Sequence, residues 1–176
     1  YKGTLVIDPV ISWSTYIGGN QNDYLGTSGS NCSDVIAVDN ECNLYASGRT
    51  DSRSNIATVG AYQDTFSSGS SQFLAKFRPD GTIVYSTYYP VSLWYPQAAT
   101  DNAGGVYISG PATGGSHPAA TTDGAYQRVN AGDYDAFIAK FNADGDREWA
   151  TFYGGMRRDQ SFSVRCDVEN NVYIGG

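Results

Sequence analysis

The sequence predicts an all-β protein, a β-propeller with about two full four-stranded blades plus partial blades, as a fragment of a larger ring. The composition is rich in glycine and tyrosine, with 21 Gly and 14 Tyr against one Met in 176 residues. Such residues suit tight turns and pleated, half-buried surfaces. No window of about ten residues shows a capped helical stripe of apolar residues. One aromatic phrase, WSTYIGG at residues 13–19, returns as YSTYYPV at 85–91 and as WATFYGG at 149–155.

The recurring phrase belongs to a longer internal repeat. LAKFRPDG at 74–81 returns as IAKFNADG 64 residues later (138 − 74), and GAYQ returns at the same offset. A further block, which ends in Leu/Val-Tyr-x-x-Gly, occurs at three places in the chain: 36–48, 98–110 and 164–176. Because several blocks recur in one order, the chain is predicted to consist of copies of one structural unit.

Each unit begins with two predicted strands. Strand a covers residues 34–39 and is followed by a turn at 40–43. Strand b covers residues 44–48, and its equivalents at 106–108 and 172–174 are apolar on both faces. A strand that is apolar on both faces is expected to be covered on both.

Strands c and d complete the unit after a long polar loop that carries GAYQ. Strand c, at 73–77 and 137–141, places phenylalanine and alanine on one face in strict alternation. An Asp-Gly pair then predicts a tight hairpin, with glycine where the backbone needs a positive φ. Strand d, at 83–89 and 148–153, contains the recurring aromatic phrase.

The predicted organisation places a leading strand d ahead of the full units. A ring would use such a strand to complete its last blade. A closed ring needs at least four blades, roughly 250 residues at this spacing, so we expect the chain to be part of a longer polypeptide. The segments are a lead-in from a preceding domain at 1–9, strand d at 10–19, blades at 34–91 and 96–155, and a partial blade at 162–176.

These blocks resemble the SBBP repeat family of bacterial β-propeller repeats. The matching residues are Trp13 to Gly19 with Asp23, IAVD at 36–39 with Leu44, Tyr45 and Gly48, GAYQ at 60–63, and the Phe73 to Phe77 strand with Asp80-Gly81. The resemblance implies a secreted or cell-surface protein of Bacteroidota type with a scaffolding or adhesive role, and it implies no catalytic residues. The chain departs from the family pattern at Tyr89-Pro90-Val91, where Gly-Gly is replaced, and at Pro111.

Charge and hydropathy argue against two classes of partner. The net charge is −7, and no basic cluster longer than Arg157-Arg158 occurs, so nucleic-acid binding is not expected. No apolar run approaches the ~20 residues that a membrane-spanning helix needs, so membrane insertion is not expected. The three cysteines, Cys32, Cys42 and Cys166, show no zinc or dithiol spacing.

Two aspartates are candidate calcium ligands, and calcium is the cofactor that the sequence suggests. Asp23 follows Gly18-Gly19 in a stretch similar to a calcium-binding nonapeptide, and Asp159 follows Gly154-Gly155 in the same way. Calcium needs six to eight oxygens, which stacked nonapeptides supply. The competing interpretation is that Gly-Gly makes the turn and the aspartate caps the loop.

A second set of aspartates recurs where strand a ends, at Asp39, Asp101 and Asp167. Recurrence at a turn predicts Asx turns, and a ring of carboxylates around a central channel is the alternative. No catalytic residues are predicted, because the single histidine, His117, stands alone in a polar loop and no nucleophile motif occurs.

The sequence therefore predicts a non-enzymatic extracellular scaffold, adhesion or recognition module of a larger secreted protein. Its expected partners are proteins or glycans at the cell surface, bound through the long b–c loops at 49–72 and 111–135, and the rest of its own polypeptide. The alternative is a propeller enzyme or carbohydrate-binding protein that acts on polysaccharide, with its site partly in other blades.

Overall fold

A computed structural model describes residues 11–26, 35–67, 71–113 and 119–176. All regular secondary structure in these ranges is β-strand, so the expected all-β class is confirmed. The described residues contain no helix with the length and apolar character to cross a membrane. The expected lead-in at 1–9, Cys32 and His117 lie outside the described residues.

Eleven strands occur in the described ranges, and they form two larger antiparallel sheets and one hairpin. In chain order the strands are β1 (Asp23–Leu25), β2 (Ile36–Val38), β3 (Leu44–Thr50), β4 (Ser71–Phe77), β5 (Ile83–Tyr89), β6 (Gln97–Thr100), β7 (Val106–Thr113), β8 (Tyr134–Phe141), β9 (Arg147–Tyr153), β10 (Ser163–Cys166) and β11 (Val172–Gly175).

The first sheet contains β1 to β5, and β3, β4 and β5 are neighbours in chain order. Two short strands share the free edge of β3. Strand β2 pairs with its first half, where Ile36 lies opposite Ala46, and β1 pairs with its second half, where Asp23 lies opposite Thr50. The predicted strands a, b, c and d of the first unit correspond to β2, β3, β4 and β5.

The second sheet repeats this arrangement with the strand order β6-β7-β8-β9. A register shift interrupts the c–d pairing between Lys76 and Phe77 in the first sheet and at the equivalent Lys140 and Phe141 in the second. The two units therefore share the same strand pairing, including this irregularity. Strands β10 and β11 form an antiparallel hairpin that corresponds to strands a and b of the third unit.

The expected leading strand d at residues 10–19 is not formed in the part of it that the structure describes, since residues 11–19 form no strand. A strand needs a neighbour that accepts its backbone hydrogen bonds. Both c strands already have two neighbours, because β4 lies between β3 and β5, and β8 lies between β7 and β9. The segment instead packs on the first sheet through Trp13 and Ile17.

The largest core lies between the two sheets. The first sheet contributes Tyr45, Leu74, Tyr85 and Tyr89, and the second contributes a set of apolar residues that includes Phe137. A second cluster covers the outer face of the first sheet, and a third joins the second sheet to the β10–β11 hairpin through Val164. Every strand of the two c–d pairs therefore has apolar contacts on both faces, as period-two alternation predicts.

The b–c loops fold back along strand d. Thr58 N donates to Ser86 O at 2.8 Å, and Tyr88 N donates to Gln63 O at 2.9 Å. In the second unit, Thr122 and Gln127 make the same bonds to Ala150 and Phe152. These bonds satisfy part of the outer edge of strand d, which would otherwise present unpaired backbone groups.

Candidate functional site

The turn between strands a and b is organised by Asp39, a buried carboxylate. Its Oδ1 accepts hydrogen bonds from Glu41 N at 3.0 Å and from Asn43 N at 2.8 Å. Its Oδ2 accepts from Asn43 Nδ2 at 2.9 Å and from the Tyr45 hydroxyl at 3.1 Å. Lys76 Nζ lies 3.9 Å from the same oxygen. The predicted Asx turn is present, and it uses both carboxylate oxygens.

The second unit reproduces this turn around Asp101. Its Oδ1 accepts from Ala103 N at 3.0 Å and from Gly105 N at 2.7 Å. Its Oδ2 accepts from the Tyr107 hydroxyl at 3.2 Å and faces Lys140 Nζ at 3.3 Å. The lysine recurs in each AKF block, so the repeat held a signal for this ion pair that sequence reasoning missed.

The third copy of the turn is built on Asp167, which is only partly buried. Its Oδ1 accepts from Glu169 N at 2.9 Å and from Asn171 N at 2.8 Å. Its Oδ2 accepts from Asn171 Nδ2 at 2.9 Å and from the Tyr173 hydroxyl at 3.0 Å. Similar local sequences thus give similar hydrogen bonds at two buried aspartates and at one that is partly exposed.

The hydrogen bonds keep these carboxylates ionised. Burial alone would raise the pKa of Asp39, but hydrogen bonds from Asn43, Glu41 and Tyr45 bring this pKa below its ordinary value. Burial likewise opposes ionisation of Asp101, and hydrogen bonds from Gly105 and Ala103 with the Lys140 charge lower its pKa overall. At Asp167 the bonds from Asn171 lower the pKa with little opposition. A carboxylate with a lowered pKa is a poor general acid.

Neighbouring a–b turns are joined by asparagine side chains. Asn40 Nδ2 donates to Asn102 Oδ1 at 3.2 Å, and Asn102 N donates to Asn170 Oδ1 at 2.8 Å. Asn102 Nδ2 also donates to Val168 O at 3.2 Å. Asn40 and Asn102 directly follow Asp39 and Asp101, whereas Asn170 lies three residues after Asp167. These three asparagines, here called the asparagine ladder, join the first unit to the second and the second to the third.

A polar cavity of about 250 Å³ lies between the first two turns. Asp39, Asn40 and Glu41 line it from one unit, and Asp101 and neighbouring residues line it from the next. Lys76 also lines it, but the ammonium donates to Ala143 O at 3.2 Å and lies 5.1 Å from the centre of the Tyr45 ring. The Lys76 ammonium therefore joins the two units across this cavity, whereas Asp39 and Asp101 are engaged within their own turns.

Asp23 and Asp159, the two candidate calcium ligands, make the same loop contact. Gly19 N donates to Asp23 Oδ2 at 2.7 Å, and Gly155 N donates to Asp159 Oδ2 at 2.7 Å. Asp23 also accepts from the hydroxyls of Thr50 and Ser52. In the described ranges, no group of three or more His, Cys, Asp or Glu side chains could hold a metal ion. The contacts are those of a loop-capping carboxylate.

The first aromatic residue of the recurring phrase packs against the next hairpin glycine. A Cβ placed on Gly81 would lie 2.7 Å from the Trp13 ring, and one on Gly145 would lie 2.8 Å from the Tyr85 ring. Trp13 also stacks on Phe77, with ring centroids 6.1 Å apart. This contact between units explains why the phrase and the Asp-Gly turn recur together, a link that the sequence contained but that sequence reasoning did not make.

The b–c loops combine a shared frame with different exposed side chains. The frame consists of the backbone bonds to strand d and of hydroxyl contacts such as Gln63 N to Thr87 Oγ1 at 2.9 Å. At the apex, exposed Val59 of the first loop is replaced by Asp123 in the second, where Arg128 forms an ion pair with it at 2.9 Å. The apex residues Val59 and Asp123 both face solvent.

The fold and these contacts define the chain as an all-β protein of repeated antiparallel sheets joined by equivalent contacts. No protein-family model matches the chain, and no curated protein sequence matches it. Its function is therefore inferred from its own residues.

Proposed function

We propose that the chain is a segment of an extracellular β-propeller that serves as a non-enzymatic surface scaffold for adhesion or recognition. The propeller is supported by the way consecutive units adjoin through their first strands. The Thr100 hydroxyl of β6 donates to Val38 O of β2 at 2.9 Å, and the asparagine ladder continues this contact to the third unit. Innermost first strands that adjoin around an axis are what a propeller requires.

The non-enzymatic role is supported by what the recurring polar side chains do. The carboxylates Asp39 and Asp101 each accept hydrogen bonds on both oxygens and face a lysine. A general base must offer a lone pair to the substrate proton, and these lone pairs are occupied by the protein itself. The lysine that recurs beside each of these aspartates, Lys76 or Lys140, also contacts the carboxylate.

The observation that carries the recognition role is the contrast within the b–c loops. Backbone bonds fix both loops on strand d in the same way, yet the exposed apex differs in chemistry between Val59 and Asp123. A rigid frame that displays variable side chains is typical of binding loops on a stable scaffold. The partners of this scaffold are proteins or glycans at the cell surface and the rest of its own polypeptide. It uses neither nucleic acid, nor membrane insertion, nor a cofactor.

Binding to bacterial cells and purified surface polysaccharides tests this proposal. The immobilised chain is expected to retain whole cells or a polysaccharide without releasing reducing sugar. Val59→Asp combined with Arg128→Ala should reduce retention at least fivefold, because both side chains are exposed at the loop apices. Glu169→Ala, an exposed change at an a–b turn, is the matched control and should have no effect.

Two results would contradict the proposal. Release of reducing sugar that increases with the amount of protein added would support the alternative, an enzyme that acts on polysaccharide. If the apex substitutions leave the retention of cells or polysaccharide unchanged, the b–c loops are not the binding surface.

A further inference from the structure

Two tyrosines stack on an open part of the second sheet. Tyr126 from the b–c loop is 81% exposed, and Tyr153 at the end of β9 is 60% exposed. Their ring centroids lie 5.7 Å apart, with an angle of 30° between the planes. Stacked aromatic rings that are both open to water are unusual in a chain that buries most of its other rings, so this pair requires an explanation.

The same pair occurs in the first unit, where it is covered. Tyr62 and Tyr89 occupy the equivalent positions, with ring centroids 6.3 Å apart and an angle of 31°. Tyr89 is fully buried, at 0% exposure against 60% for Tyr153, and Tyr62 is 37% exposed against 81% for Tyr126. The difference between the units is therefore coverage and not the geometry of the pair.

The cover of the first pair comes from strands c and d of the following unit. Phe141 of β8 lies edge-on to both rings, 6.2 Å from Tyr62 and 5.3 Å from Tyr89. Arg147, which begins β9, places its guanidinium 5.2 Å from the Tyr62 ring centre and donates to the Tyr89 hydroxyl at 3.2 Å. The pair is thus bound by one phenylalanine edge and one cation.

Among the described residues, the strands that cover the equivalent face of the second unit are the a and b strands of its neighbour. Val164 of the β10–β11 hairpin packs with Tyr107 and Ile138. These two residues lie on the inner half of the covered face of the second sheet. Trp149 remains half-buried, and Tyr126 and Tyr153 lie beyond the hairpin. In the described part of the chain, β11 pairs with β10 alone, whereas β3 and β7 each pair with a c strand as well.

We propose that Trp149, Tyr126 and Tyr153 form a docking face for the c–d β-hairpin of one further repeat unit. The occupant carries a phenylalanine on its c strand where β8 has Phe141, and an arginine at the start of its d strand where β9 has Arg147. Its c strand pairs with β11 as β8 pairs with β7. This inference rests on the proposed propeller architecture, and it specifies which chemistry the next unit brings to this face.

A hairpin fits the face better than a sugar does. A glycan stacked on the tyrosines would leave the free backbone groups of β11 without a protein partner, whereas a c strand satisfies them and covers the rings together. The existing interface between the first two units is continuous with this face through the asparagine ladder, so the same spacing places an added c strand beside β11.

Tyrosine nitration of an extended chain tests the proposal. A second copy of residues 111–155 is joined directly after Gly176, and nitration by tetranitromethane is followed at each tyrosine by mass spectrometry. Nitration of Tyr153 should become at least fivefold slower than in the unextended chain. Exposed Tyr16 should react in both chains, and buried Tyr89 should resist in both. Alanine in place of the added arginine should restore part of the reactivity at Tyr126.

A scrambled extension of the same composition is the matched control and should leave Tyr153 reactive. If the native extension also leaves Tyr153 as reactive as Tyr16, the proposal is overturned. This holds even if the extension does not fold, because the hairpin is proposed to fold against this face. Protection of Tyr153 in the unextended chain by a polysaccharide would overturn it in favour of a glycan site. If cell retention proves not to depend on the b–c loops, the proposed function is contradicted, but the nitration result still stands.

Discussion

At the scale of single residues, one motif is present at different depths of burial. Asp101 and Asp167 accept equivalent backbone and tyrosine hydrogen bonds, yet Asp101 is buried, whereas Asp167 is partly buried and its hydrogen bonds are open to solvent. A buried donor that loses its acceptor has no water to replace it, whereas an exposed donor does. The comparison therefore separates what the turn gains from geometry and what it gains from burial.

Asp101→Ala should destabilise the protein far more than Asp167→Ala does. The first substitution leaves two backbone N–H groups, the Tyr107 hydroxyl and part of the Lys140 charge without their acceptor, a loss of roughly 2 to 4 kcal/mol. The second exposes its donors to water. Urea unfolding followed by tryptophan fluorescence measures both variants, and equal losses would show that burial has no part in the effect.

The lowered pKa values of Asp39 and Asp101 predict loss of stability in acid. The folded state binds these protons less readily than the unfolded state does, so the contribution is complete above the ordinary carboxyl pKa of about 4 and is lost as the pH falls through the lowered values. The free energy of unfolding should decline below about pH 4. Asp101→Asn should show a shallower decline, and a free energy that rises on acidification would contradict this account.

At the scale of elements, the sequence predicted where strands b, c and d of each full unit lie, and the Asp-Gly turns marked the end of strand c. Strands b and c extend two to five residues further into the b–c loop than the pattern indicated. Strand β5 spans Ile83–Tyr89, as expected. The expected leading strand d resembles β5 and β9 in residue type, but among the described residues both c strands already have two neighbours, and no strand forms there. Pairing is a tertiary property, and local pattern carries no information about which neighbour is available.

Gly145→Ala tests the contact between a hairpin and the preceding strand d. Its φ is +90°, and an added Cβ would lie 2.8 Å from the Tyr85 ring, so the loss should be about 3 kcal/mol. Gly124→Ala is the matched control, since φ is +78° but no atom lies within 4 Å of the added Cβ. It should lose only about 1 kcal/mol, the contribution of the backbone strain. Thermal unfolding would distinguish the two, and equal losses would exclude the aromatic contact as a stabilising feature.

At the scale of the whole molecule, the largest core is shared between the two sheets. The recurring aspartates were predicted to organise turns, and that part of the candidate site was evident from their position in the repeat. The asparagine ladder and the coverage of Tyr89 by Arg147 were not, because they depend on how one unit lies against the next. A repeat defines the unit, and only the arrangement of units defines such contacts.

The shared core predicts that the two sheets lose stability together. Phe137 of the second sheet is fully buried and packs on Tyr89 of the first, with ring centroids 5.9 Å apart. Phe137→Ala should lower the free energy of unfolding by about 3 to 5 kcal/mol.

Hydrogen exchange measures how this loss is distributed over the molecule. Amides of β4 and β8 should lose protection by the same factor, since removing the ring opens a cavity that belongs to both sheets. The β10–β11 hairpin, which is mostly exposed and attached mainly through Val164, should exchange faster than either sheet in both proteins. Unchanged protection in β4 would mean that the sheets unfold separately, and the contacts between units would then be too weak to hold a ring of such units in register.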